Sequence, residues 1–314
     1  ESLENGKTYY TSNAGTMELR TEISDYMHRR FSLSYDPKDE IIVTVGGSEA
    51  IDLAIRTLVN PGDEIVIPEP SFVCYAPVAE LAGGKAVRVA TKAEDRFKLT
   101  AEELKNAITP KTKVLILSYP NNPTGAIMTK EDLEQVAQVL RGTNIFVVSD
   151  EIYAELTYGK KHVSIANISD MKERSIVVNG FSKAYSMTGW RMGYACGPAP
   201  VIKQMTKVHQ YAIMCAPTTS QYAAIEALKE GDGDIEMMRI DYDERRRYIL
   251  DGFRKLGLEA FEAEGAFYVF PCIKSTGLSS EEFCEKLLMS VFQLRAHVRE
   301  FYARICEQYE GVIK

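Results

Sequence analysis

No apolar run in the 314-residue chain approaches the roughly 20 residues that a membrane-spanning helix requires. Basic residues are not in excess either: 37 Lys and Arg stand against 44 Asp and Glu, a formal net charge of −7. That balance argues against nucleic acid as the main partner, which would call for a basic face. The six cysteines, Cys74, Cys196, Cys215, Cys272, Cys284 and Cys306, include no Cys-x-x-Cys pair, and most sit among apolar residues. This argues against a zinc or disulfide framework and for buried free thiols in a reducing cytoplasm. Internal repeats, low-complexity tracts and an export-signal pattern are also missing. The remaining composition, 45% apolar and 26% charged, is ordinary for a globular protein, and the length allows a large core and two domains.

Short β-branched runs alternate with amphipathic segments along the first two thirds of the chain. Thr16 is placed to cap a helix whose apolar face is Leu19, Ile23, Tyr26 and Met27, after the polar, turn-rich stretch 9–15. Strands are expected at 41–45, 64–67, 86–89, 114–117, 145–149 and 175–178. Helices are expected from Ser48, over 75–81, and after Thr100-x-x-Glu103 and Thr129-x-x-Asp132, both capping-box patterns. Such alternation predicts an α/β protein with a mostly parallel sheet covered on both faces, which binds ligands beyond the carboxyl ends of its strands. Beyond Pro200 the pattern changes to helices at 204–212 and 220–229 and a break at 231–234. A long charged helix over 235–256 follows, then a strand at 265–270 and a helix capped by Ser279-x-x-Glu282. The run Glu244-Arg-Arg-Arg247 reads as a solvated face.

The stretch 180–193, Gly-Phe-Ser-Lys-Ala-Tyr-Ser-Met-Thr-Gly-Trp-Arg-Met-Gly, carries two cations eight residues apart, just after a strand. A desolvated lysine is a nucleophilic amine able to form a Schiff base with a carbonyl, and an arginine fork can hold a dianion. Lys183 and Arg191 together suggest pyridoxal phosphate, which has an aldehyde and a phosphate. Gly46-Gly-Ser-Glu49, between a strand and a helix, offers free N–H groups to an anion. Asp150 ends an apolar strand and needs a cation or strong donors, a need that a protonated pyridine nitrogen would meet. Tyr153 and Asn122 can donate to a ring oxygen, and Phe72 can stack on a ring. Taken singly, each has a plainer reading: surface cations beside a turn, an ordinary strand–helix connection, a helix cap, a turn asparagine, a core aromatic. Their predicted convergence on one sheet edge favours the chemical reading.

In order and spacing these blocks resemble the class I/II aminotransferases, fold-type I pyridoxal-phosphate enzymes of the aspartate aminotransferase superfamily. The lysine stretch 180–193, Gly46-Gly-Ser-Glu-Ala50, Asn121-Asn-Pro-Thr-Gly125 and Asp150-Glu-x-Tyr153 carry the likeness, which runs from about Tyr9 to Phe283. The resemblance implies a large cofactor domain over 1–240 with a seven-stranded sheet, and a smaller α+β domain over 241–314. It further implies Lys183 as the Schiff-base and acid–base residue, Asp150 on the pyridine nitrogen, and Asn122 and Tyr153 on the 3-oxygen. Phe72 would stack on the ring, while Arg191, Ser182 and the backbone of Gly47, Ser48 and Glu49 would hold the phosphate. Tyr10 resembles the tyrosine that reaches the neighbouring subunit's phosphate, which implies a homodimer with shared sites. Arg304, in Arg-Ile-Cys, is the candidate for gripping the substrate α-carboxylate, with Asn122 beside it.

Three departures are visible. Gly180 stands where many members carry a phosphate-binding hydroxyl. Ser48 stands where some aspartate-specific bacterial members place a lysine. An N-terminal segment of the small domain is missing, and the spacing from Met289 to Arg304 is short, so omitted segments are expected at both places. The activity implied is ping-pong transfer of an α-amino group from an L-amino acid to a 2-oxo acid. The alternatives are a C–S β-lyase of the same fold and a cofactor-sensing regulator.

Overall fold

A computed structural model of the chain describes residues 2–291. Arg304 and Cys306 therefore lie outside the described residues. The described residues divide into two compact units, one of 2–250 with 261–270, the other of 251–260 with 271–291.

The first unit begins with α1 (Met17–Phe31), β1 (Ile41–Thr44), α2 (Gly47–Leu58), β2 (Glu64–Glu69), α3 (Tyr75–Leu81) and β3 (Lys85–Ala90). It continues with α4 (Ala101–Ala107), β4 (Thr112–Ser118), α5 (Lys130–Leu140), β5 (Phe146–Asp150), β6 (Ser175–Gly180), α6 (Phe181–Ala184) and β7 (Gly193–Cys196). The helices α7 (Ala199–Ala212), α8 (Thr218–Glu230) and α9 (Asp232–Lys255) follow. The seven strands form one sheet in the order β1-β7-β6-β5-β4-β2-β3. Only β7 runs against its neighbours, β1 and β6; the other pairs are parallel.

Alternation along the strands decides which face each side chain serves. In β4, Val114 and Ile116 join a core with α2, α3 and α7, whereas Leu115 and Leu117 join one with α4 and α5. In β1 and β6, Ile42, Ile176 and Val178 face the first core, while Ile41, Val43 and Val177 pack against α1 and α8. A sheet buried on both sides explains the near-continuous apolar runs.

Local signals act where the sequence places them. The Thr16 side chain caps α1, and Thr100 and Thr129 make full capping boxes with Glu103 and Asp132. Three expectations are corrected. Helix α9 starts at Asp232, so the break is confined to Gly231. Residues 265–270 form no strand: Gly265 makes one isolated bridge with Thr157, and Ala266 adopts a positive φ of 55° that turns the chain. The arginine run is not a uniformly solvated face. Arg246 turns inward to Asp243, the Ala263 carbonyl and the Tyr158 ring, because its i, i+3 spacing from Asp243 points it at 261–266. In the second unit, Glu259–Ala260 pairs antiparallel with Pro271–Cys272, and Ser279 and Glu282 make the expected reciprocal cap.

Removing the Thr129 hydroxyl leaves the Asp132 N–H at the first turn of α5 without its acceptor. Thr129→Ala is expected to cost about 1 kcal/mol, read as a lower urea midpoint at unchanged slope, and Thr129→Ser to retain the wild-type midpoint.

Candidate functional site

The site lies where four strand ends meet. β1, β4, β5 and β6 run toward this edge, and β7, running the other way, starts there. Thr44 at the end of β1 and Gly180 at the end of β6 both pair with Gly193. That brings the Gly-Gly turn, the lysine segment and Arg191 within one short span of backbone. A cavity of about 290 Å³ opens there, and Gly47, Ser48, Phe72, Asn122, Asp150, Tyr153, Ser182, Lys183 and Arg191 all line it.

Asp150 is 6% exposed and has no cationic partner among the described residues. Its Oδ2 accepts from the Tyr75 hydroxyl at 2.7 Å and its Oδ1 from the Ile152 N–H at 3.2 Å. Burial holds this carboxyl above the usual carboxylate range, although both donors and the nearby Lys183 oppose the shift. The Lys183 amine has no carboxylate partner among the described residues either. It sits 5.7 Å from the centre of the Tyr153 ring and 5.4 Å from that of Phe267. Burial pushes its pKa below the ordinary lysine value and Arg191 pushes the same way, while Asp150 pulls it back up. Arg191 Nη1 donates to the Thr188 carbonyl at 2.9 Å, and the guanidinium lies against Gly46. A Cβ on Gly46 would fall 2.5 Å from Nη2, and its φ of +80° also favours glycine.

Tyr153 donates to or accepts from Tyr268 across 2.7 Å, and burial raises its phenol pKa. Phe72 both lines the cavity and packs, edge to face, on Tyr75. Asn121 takes the structural part of its motif, its side-chain oxygen accepting from the Thr124 N–H and hydroxyl, which leaves Asn122 for the cavity. Gly180 is explained by space: a Cβ there would lie 2.9 Å from both the Met192 carbonyl oxygen and Gly193 Cα.

Two residues of the expected set do not line this cavity, Glu49, expected to act through its backbone N–H, and Tyr10, expected to reach a neighbouring subunit's site. Glu49 does not line the cavity; its carboxylate turns back to the Val45 N–H and to His209 Nδ1, 2.9 Å away. Tyr10 is 80% exposed and does not line this chain's cavity. Sequence reasoning missed Tyr75, Tyr268 and Thr188, all of which line it. Tyr75 had one available signal, its place three residues after Phe72 at a helix start.

A wider basic groove of about 440 Å³ is lined by Arg29, Arg30, Lys160 and Arg239. Each of these four is engaged by a carboxylate: Asp232, Glu155, Glu264 and Glu236 respectively.

The family described as aminotransferase class I and II matches residues 2–308. A putative aminotransferase of Bacillus subtilis, YugH, is 50% identical over 287 residues, covering 91% of this chain and 74% of that protein. A probable N-acetyl-LL-diaminopimelate aminotransferase of the same organism is 45% identical over 92% of this chain and 72% of its own length. Among solved structures, an aromatic aminotransferase from Pyrococcus horikoshii superposes with a TM-score of 0.89 at 42% identity, over 91% of this chain and 78% of that one.

The electrostatics can be checked by acylating lysines across pH and following each by peptide mass spectrometry. In the ligand-free protein Lys183 is expected to titrate below the ordinary lysine range. Arg191→Gln should move it up, because a like charge is removed, and Asp150→Asn should move it down, because an opposite charge is removed.

Proposed function

Since the chain belongs to the class I and II aminotransferases, pyridoxal-phosphate enzymes that move amino groups between amino acids and 2-oxo acids, we propose that Lys183, Asp150 and Tyr153 carry that reaction here. The observation that carries the reading is a set of three groups in one cavity with no ion-pair partner among the described residues: a depressed amine, a buried carboxylate and a guanidinium. An aldehyde, a protonated ring nitrogen and a phosphate are their complements, so the residues present fit the cofactor.

When bound, pyridoxal phosphate supplies the carbonyl that binds an amine and a ring that draws electrons from the substrate Cα. Asp150 holds the ring nitrogen's proton in place. Asn122 and Tyr153 donate toward the ring's 3-oxygen, Phe72 covers one ring face, and Arg191, Ser182 and the N–H groups at the start of α2 receive the phosphate. Lys183 Nζ takes the proton from the substrate Cα, and burial, by lowering its pKa, favours the neutral amine that this task needs. Arg304 and Asn122 are assigned to the α-carboxylate on the sequence pattern alone. The first product leaves as a 2-oxo acid before a second 2-oxo acid enters, which gives ping-pong kinetics.

The same reading divides the chain into a cofactor domain, 1–240, and a smaller domain, 241–314, and makes the protein a cytoplasmic homodimer. Five described cysteines are free thiols, as a reducing compartment allows, although, against expectation, only Cys196 is buried and Cys284 is exposed; no described helix is long and apolar enough to cross a membrane. In support of the dimer, Tyr9, Tyr10, Tyr211, Ile213 and Met214 are all exposed. They lie on two segments tied together by the Thr218 hydroxyl on the Tyr9 carbonyl and Asn13 on the Met214 carbonyl. An exposed apolar patch of this kind marks an interface.

Lys183→Ala is expected to lose about 10²–10⁴-fold or more in transamination rate and to yield no borohydride-reducible adduct at position 183. An adduct forming elsewhere at undiminished rate would refute the assignment. Sedimentation should give twice the chain mass, and mixing inactive Tyr10→Ala with inactive Lys183→Ala should restore part of the activity, because one hybrid site is intact.

A further inference from the structure

Tyr75 is a tyrosine of 1% exposure at the first position of α3, yet its hydroxyl is not spent on the backbone. It lies 2.7 Å from Asp150 Oδ2 and 2.8 Å from Ser118 Oγ. A phenol has one proton. An acceptor-only carboxylate takes it, and the Ser118 hydroxyl then donates to the phenol oxygen, polarising it toward Asp150. Three elements, the end of β4, the start of α3 and the end of β5, thus meet in a directed chain from Ser118 through Tyr75 to Asp150.

We propose that Tyr75 is a positioning residue for Asp150, its phenol fixing Oδ2 so that the carboxylate keeps its orientation into the cavity for the cofactor's ring nitrogen. The proposal rests on the assignment of Asp150 to that nitrogen.

The other groups around Asp150 cannot take over this task. From α6, Lys183 acts on it only at a distance and is needed elsewhere. From the loop after β5, Glu151 repels it, and the Glu151 carboxylate is occupied by Ser149, Ser164 and His162. Tyr153 is turned to Tyr268. The Cys74 thiol, beside Tyr75, is pushed up to about 12 by burial first and by Asp150 in part, so it stays neutral. Of the donors, Tyr75 opposes the burial of Asp150 most and the Ile152 N–H next.

The test compares Tyr75→Phe, Ser118→Ala and Asp150→Asn with the wild type in two readouts besides activity. One is the infrared titration of the Asp150 carboxyl in the cofactor-free protein, with Asp150→Asn identifying the band. The other is the dissociation constant for pyridoxal phosphate across pH. Tyr75→Phe should move the Asp150 titration up by about one pH unit and weaken cofactor binding about tenfold or more, with binding lost at a higher pH on acidification. Ser118→Ala should shift both in the same direction by less, and it decides the matter if Tyr75→Phe fails to fold. A wild-type titration and affinity in the folded Tyr75→Phe protein, or in Ser118→Ala if that variant must decide, would overturn the proposal. If Asp150→Asn itself leaves cofactor affinity unchanged, the assignment of Asp150 fails instead.

Discussion

Asp150 is buried at the end of β5 without a cation, and the site is arranged around that fact. Desolvating a carboxylate costs several kcal/mol even after relaxation, and two hydrogen bonds from Tyr75 and Ile152 offset only part of it. The obvious remedy inside the cavity is Lys183. A salt bridge between them would protonate the amine and end its nucleophilicity, so each group would cancel the other's use. The structure instead keeps Lys183 over the faces of Tyr153 and Phe267, where ring quadrupoles partly satisfy its charge without fixing a proton.

That separation depends on the sheet. Six strands running the same way deliver side chains only from their carboxyl ends, so Asp150, Asn122 and Lys183 could be placed by parallel strands alone. Arg191 could not: it precedes its strand, and only the reversal of β7 brings an amino end to the same edge. The price of that crossing is space, which is why residues without side chains occupy positions 46 and 180. The phosphate-binding hydroxyl expected at position 180 is absent for the same steric reason, since any Cβ there would meet the backbone of β7.

Most of the frame was legible in the sequence because it is local. Caps at Thr16, Thr100 and Thr129 follow from spacings of three residues, and the strands follow from β-branched runs. The convergence of Ser48, Asn122, Asp150 and Lys183 follows from one rule about parallel sheets. Illegible were contacts decided by tertiary packing. Tyr75 and Tyr268 look like helix and strand core residues; the place of Tyr75 three residues after Phe72 points to the site, but neither neighbourhood says that the hydroxyls meet Asp150 and Tyr153. Glu49 reads as a helix-start residue beside an anion site, but His209, 160 positions away, draws its carboxylate aside. The alternating run 265–270 has strand composition but no partner strand, and the turn at Ala266 instead presents Phe267 and Tyr268 to the lysine and to Tyr153.

The charges around Lys183 also determine which influence on it survives cofactor binding. In the empty cavity Arg191 lowers its proton affinity and Asp150 raises it, with burial the largest cause. Under the proposed assignments a dianion at Arg191 would cancel the first influence, and a protonated ring nitrogen at Asp150 would cancel the second. These effects have opposite signs and offset each other in part, while burial, the largest cause, remains. The lysine's poise therefore rests on the least exchangeable part of the site, the aromatic and backbone walls supplied by Tyr153, Phe267 and α6, rather than on charges that the ligand itself neutralises.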